Sequence, residues 1–163
     1  YIMHGKKEID ENTRQYCIQK EEPDKYWDYL KCFVSDGNSN ECLTQTGIDM
    51  DKLDACIAKA DEKFNITGLY EDRSTWHGGR FPPYKVYDKE NVMYGVRGSP
   101  TVVINDRIVS VPRSPESVKN YICCAFNTPP DECSQKLSEA GASPGFGWSE
   151  SLDQGTAAGG CGA

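Results

Sequence analysis

Histidine is scarce in this chain, clustered positive charge is missing and long apolar runs do not occur, and each shortage closes off a class of function. His4 and His77 are the only 2 histidines among 163 residues. Neither lies at finger-like spacing from a pair of cysteines, so a structural zinc site is not expected. No C-x-x-C pair occurs. The 18 lysines and arginines are scattered among 25 acidic residues, leaving a net charge of −7. Phosphate binding needs cations gathered on one surface, which argues against nucleic acid as a partner. The longest apolar stretches, such as residues 101–104 (TVVI), fall far short of the roughly 20 residues that span a bilayer. No signal peptide is readable from Tyr1 onward.

Cysteine, by contrast, is plentiful: Cys17, Cys32, Cys42, Cys56, Cys123, Cys124, Cys133 and Cys161 make 8. An even number in an acidic chain with a Gly- and Ser-rich tail reads as disulfides formed in an oxidising compartment, which means the periplasm, the cell surface or the extracellular space. The sequon Asn65-Ile66-Thr67 makes Asn65 a candidate glycosylation site, in keeping with a secreted location. Cys32 and Cys42 flank a polar turn (SDGNSN), so a bridge between them would close a pair of short helices and contribute roughly 2 to 3 kcal/mol through loop entropy. Cys17 and Cys56 would join the first and last helices of the same cluster. Cys124 or Cys123 could reach Cys133 across Pro129-Pro130. Cys161, in the tail, is left for the remaining vicinal cysteine or for another molecule.

The pattern along the chain begins with residues 1–4, which read as the end of a buried strand. From residue 8 to about residue 20, Ile9, Thr13, Tyr16 and Cys17 recur near the helical period. Pro23 and Asp24 open a second helix with Tyr26, Trp27, Leu30, Phe33 and Val34 on its apolar face. After a short turn at 41–45, Gly47 ends that piece, and Asp49 caps a helix whose inner face holds Leu53, Cys56, Ile57, Ala60 and Phe64. Residues 65–98 have little periodicity and read as a long ordered loop. Its aromatics Tyr70, Trp76, Phe81, Tyr84 and Tyr87 suit either a substrate groove or a small core of the loop's own, and His77 reads as a solvated loop residue. Thr101 to Ile104 then forms a strand, Asn105-Asp106 a turn, and residues 107–111 the returning strand. Ser114 caps a last helix with Pro115 and Glu116 in its first turn and Val118, Tyr121, Ile122 and Phe126 as its buried stripe. The expectation is one mixed domain with Val102, Val103, Ile104, Val118, Ile122 and Phe126 buried together. Residues 138–163 are too poor in aliphatic side chains to offset their ordering entropy and read as a flexible tail.

Residues 96–105 (VRGSPTVVIN), followed by a hairpin and a capped helix, resemble the loop and strand that carry the cis-proline in thioredoxin-like proteins of the DsbA-like thiol-disulfide oxidoreductase family. The resemblance implies an α/β, thioredoxin-like but incomplete domain over residues 1–137. Residues 8–64 would be its inserted helical subdomain, 65–98 a loop, and 99–126 the cis-proline loop, hairpin and last helix. It places the third strand at residues 1–4, and the family's first strands and C-x-x-C helix before Tyr1. It also implies a cis bond before Pro100, with Gly98, Ser99 and Pro100 offering backbone to an extended polypeptide or a disulfide-bearing protein. An upstream segment or a partner chain would complete the sheet. No metal or other cofactor is implied.

Two functions follow. The first is the C-terminal portion of an extracytoplasmic thiol-disulfide oxidoreductase, not catalytic alone, because none of the 8 cysteines sits at a helix N-terminus with a resolving partner close by. The alternative is a disulfide-stapled, non-catalytic binding or structural module.

Overall fold

The computed structural model describes residues 1–141, which fall into two compact units, residues 1–88 and residues 89–141. Unit 1 is built from helices whose ends the sequence marks plainly. Helix α1 (Lys6–Glu21) buries Ile9, Thr13 and Cys17 at four-residue spacing, so that all three lie on one face. Helix α2 (Tyr26–Asp36) ends at Gly37, whose φ of 77° is the left-handed geometry that glycine adopts most readily. The Asn38 side chain accepts from Glu41 N and starts α3 (Ser39–Gln45). Asp49 accepts from Lys52 N at 3.1 Å and caps α4 (Met50–Phe64), which buries Leu53, Cys56 and Ala60 against α1.

Asn65, with φ 51°, turns the chain out of α4 into α5 (Ile66–Glu71). This short helix buries Ile66 and Leu69 and runs into a 3-10 turn, Arg73–Thr75. The following residues fold back on the helices. Ile2 N donates to Pro82 O at 3.0 Å, Tyr84 Oη lies 3.1 Å from Thr13 Oγ1, and Val86 is buried. The hydrophobic core gathers around Ile9, Cys17, Ile18, Tyr29, Leu53 and Cys56, and every residue of it belongs to unit 1.

Unit 2 opens with α6 (Asp88–Met93) and continues into a hairpin of β1 (Val102–Ile104) and β2 (Arg107–Val109). The strands are antiparallel, with Val102 opposite Val109 and Ile104 opposite Arg107. The turn residues Asn105 and Asp106 have φ of 47° and 62°, the paired left-handed geometry of a two-residue hairpin loop. Ser114 accepts from Ser117 N at 3.2 Å and caps α7 (Pro115–Cys123), with proline in the first turn. A second 3-10 turn, Asp131–Ser134, follows.

The expected α/β thioredoxin-like fold is corrected. The described residues are mostly helical and hold one sheet of two strands, so there is no central sheet for helices to cover. Residues 1–4 are not a strand, although Ile2 is buried. The segment 65–98 is not one loop, since α5, a 3-10 turn and α6 lie in it. The apolar residues of the hairpin and α7 are not buried together: Val102 is 36% exposed, Val118 42%, Ile122 47% and Phe126 50%. Their alternating and helical patterns are present, but within unit 2 no other described apolar layer lies over them. Of the tail expected at 138–163, Ser138 is buried, and the stretch beyond residue 141, with Cys161, lies outside the described residues.

Candidate functional site

The sequence singled out Gly98, Ser99 and Pro100, and all three are exposed. The Ser99–Pro100 bond is cis. Thr101 Oγ1 donates to Gly98 O at 2.5 Å, which closes the loop just before β1. One edge of β1 bonds to β2 and, among the described residues, the other has no strand beside it. The hairpin tip is held from two sides. Asn105 Nδ2 donates to Ala125 O at 3.0 Å, and Tyr94 Oη donates to Asp106 Oδ1 at 2.7 Å. That bond to the Asp106 carboxylate raises the Tyr94 pKa. The loop therefore leads into a short strand that is fixed at its turn and open at one side.

The cysteines are brought together in pairs. Cys17 bonds to Cys56, Cys32 to Cys42 and Cys123 to Cys133. Cys133 thus joins Cys123 and not its neighbour Cys124, which is itself disulfide-bonded. No described cysteine is a free thiol. These three pairs place the folded chain in an oxidising compartment. The first two belong to unit 1 and the third to unit 2.

A polar centre that the sequence reading missed lies in unit 1. Glu11 is 8% exposed, and its carboxylate accepts from Tyr29 Oη at 2.9 Å, Ser39 Oγ at 2.7 Å and Gln15 Nε2 at 2.8 Å, as well as from Arg14. It ties α1 to α2 and α3. Burial, reinforced by the Glu11 charge, pushes the Tyr29 pKa up to about 12. A glutamate in a helix ordinarily reads as solvated. The available signal was its position two helical turns before Ile18, on the same stripe. A polar cleft of about 880 Å³ opens beside it, lined by His4, Lys7, Glu8, Asn12 and Asn38 among others. A smaller one of about 200 Å³ lies between α1, α4 and α5, and includes Lys6, Asp61 and Tyr70. Residues 98–100 line neither.

The aromatic residues of 65–87 pack on the helices. Tyr70 and Trp76 rings are 5.6 Å apart, Tyr16 meets Tyr87 at 5.9 Å, and Trp76 Nε1 donates to Leu69 O at 3.2 Å. His77 stacks on Tyr1 at 4.4 Å. Asn65 is exposed, while the Thr67 hydroxyl of its sequon donates to Asp61 Oδ2 at 2.8 Å. Among the described residues no group of three or more His, Cys, Asp and Glu side chains is placed to hold a metal ion, and no helix is long and apolar enough to cross a membrane. No protein-family model, curated protein or solved structure matches this chain.

Proposed function

We propose that this chain is the substrate-docking, non-catalytic portion of an extracytoplasmic thiol-disulfide oxidoreductase. The observation that carries the reading is the exposed Gly98-Ser99-Pro100 loop running into β1, whose outer edge has no strand beside it among the described residues. An extended polypeptide gains main-chain hydrogen bonds by lying along such an edge, and side chains beside it supply selectivity. The resemblance of residues 96–105 to the DsbA-like family supports a cysteine-bearing polypeptide as the occupant. All described cysteines are held in disulfides, so none of them stands as a ready attacking thiolate for a docked substrate. Substrate docking without one gives no exchange.

The test has two arms. Titration of the labelled chain with an unfolded, cysteine-bearing peptide is expected to shift the amide resonances of Ser99, Thr101 and β1 and to leave those of α4 in place. The chain alone is expected not to accelerate glutathione-driven reduction of insulin disulfides. Shifts confined to unit 1, or insulin reduction by the chain alone, would overturn the reading. The second reading, a disulfide-stapled binding module with no redox role, is favoured by the same complete pairing of the described cysteines. A C-x-x-C pair encoded within about thirty residues before Tyr1, the spacing of a helix and strand, decides for the enzyme. A signal-peptide cleavage site directly before Tyr1 decides for the module.

A further inference from the structure

Cys123 and Cys124 are consecutive residues at the end of α7, with Cys124 closing its last turn. Cys133 stands in the 3-10 turn Asp131–Ser134, its Cα 5.8 Å from that of Cys123. The Cys124 side chain belongs to a further disulfide. Consecutive Cα atoms lie ~3.8 Å apart but successive helix side chains point about 100° apart, so passing Cys133 from Cys123 to Cys124 requires the last turn of α7 to rotate or unwind.

Two properties set this cluster apart from the other pairs. One is access. Cys124 is exposed and Cys123 and Cys133 are half-buried, whereas Cys17 and Cys56 are 0% and 3% exposed in the core of unit 1. The other is a sulfur-free clamp that holds the chain after Cys133 against α7. Glu116 Oε2 accepts from Leu137 N at 2.7 Å, Glu116 N donates to Ser138 O at 3.0 Å, and Lys119 Nζ donates to Gln135 O. Lys119 also pairs with Glu116 at 2.9 Å, with both side chains largely covered. Residues 126–132 between the two anchors are exposed and carry Pro129-Pro130. Cys133 is therefore kept beside α7 whether or not its disulfide is intact.

We propose that Cys123, Cys124 and Cys133 form a thiol-disulfide exchange site, at which Cys133 passes between its two adjacent partners once a reducing thiol opens the Cys124 disulfide. Two equivalents of a reducing thiol convert that disulfide to two thiols and become one disulfide themselves. The Cys124 thiol then loses its proton to water, and its thiolate attacks Cys133 Sγ. The Cys124–Cys133 bond forms as the Cys123–Cys133 bond breaks, and Cys123 leaves as a thiolate that takes up a proton. The second step moves no net electrons. Its result is a choice of which side chain carries the thiol, the exposed Cys124 or the half-buried Cys123. The helix C-terminus and the neighbouring Asp131 and Glu132 disfavour a thiolate here, so the exchange is slow and suits a switch, not turnover.

The test is limited reduction of the whole chain with glutathione at pH 8, acid quenching, alkylation and fragmentation of the resulting peptides. Label is expected on both Cys123 and Cys124, a Cys124–Cys133 linked peptide is expected to appear, and Cys17–Cys56 should open at least about tenfold more slowly. A Cys123→Ser chain is expected to retain a bridge to Cys133 through Cys124. Label on Cys124 alone with Cys133 bridged only to Cys123, label on Cys133 without any Cys124–Cys133 peptide, earlier opening of Cys17–Cys56, or a Cys123→Ser chain with Cys133 reduced would each overturn the proposal.

Discussion

Glu11 is where three helices of unit 1 meet through a single side chain. Its carboxylate takes hydrogen bonds from Tyr29 on α2 and from Ser39 at the start of α3, and Tyr29 is fully buried. Tyr29→Phe deletes one donor to a charged acceptor and is expected to cost about 1 to 2 kcal/mol. Glu11→Ala leaves the buried Tyr29 hydroxyl and the Arg14 guanidinium without their acceptor, and is expected to cost about 3 kcal/mol. Urea titrations of the two variants check both values, and equal midpoints would contradict the account. The same burial gives a pH signature. Tyr29 and Tyr84 are both pushed up to about 12 by burial, so the folded chain holds protons that the unfolded chain releases from about pH 10. Their contribution to stability is complete below that value and is lost as pH rises towards 12. Absorbance titration of the tyrosines is expected to show two that ionise only at about pH 12 or on unfolding.

Among elements, the α1 and α4 pair is braced by Cys17–Cys56 across a sequence separation of 39, whereas Cys32–Cys42 spans only 10. By loop entropy, a Cys17→Ala/Cys56→Ala double variant should lose about 4 kcal/mol and a Cys32→Ala/Cys42→Ala variant about 3, measured as denaturation midpoints. Helix α7 holds its following segment through Glu116, whose pKa is lowered by the bond from Leu137 N and then by Lys119. A lowered carboxyl pKa gives stability that is present above the ordinary value of 4.5 and is lost as pH falls through the folded one. Hydrogen exchange at Leu137 N, corrected for its intrinsic pH dependence, is therefore expected to gain relative to α4 amides in acid.

Much of this level was legible in the sequence. Asp49, Ser114-Pro115 and Asn105-Asp106 mark a helix start, another helix start and a turn through local hydrogen bonds and backbone preferences that need no tertiary context. What stayed hidden had no local signal. Helix α5 is six residues with Gly68 in its middle, too short for a period to show, and α6 buries nothing. Residues 1–4 looked like a strand because Ile2 is apolar, yet Ile2 joins the helical core of unit 1 and its N–H donates to Pro82 O outside any strand. Burial of the hairpin and α7 was inferred from patterns that state which face is apolar, but not whether anything covers it. The exposed loop at 98–100 was found by resemblance, and the Glu11 centre was not, because its partners are far away in sequence.

At the level of the whole chain, the two units are stabilised differently. Every buried apolar residue among those described lies in unit 1, while unit 2 relies on caps, the Glu116–Lys119 clamp and the Cys123–Cys133 bond. Apolar burial is the dominant stabilising contribution in a folded domain. Native-state hydrogen exchange is therefore expected to protect α1 and α4 most and β1, β2 and α7 least, and a fragment of residues 1–88 is expected to keep the helical circular dichroism of unit 1. Stronger protection in the hairpin than in α4 would contradict this division.

The junction between α4 and α5 also bears on when the sequon at Asn65 is easiest to reach. Once the helices form, Asn65 is fixed in a left-handed conformation with its side chain against Gly68, Ile66 is buried, and Asp61 holds both the amide and the hydroxyl of Thr67. An enzyme that must grip Asn65 and Thr67 together has to displace Asp61 from Thr67 once the chain has folded. A sugar at Asn65 is therefore expected to be attached more readily before unit 1 closes than after it, although Asn65 is exposed in the fold.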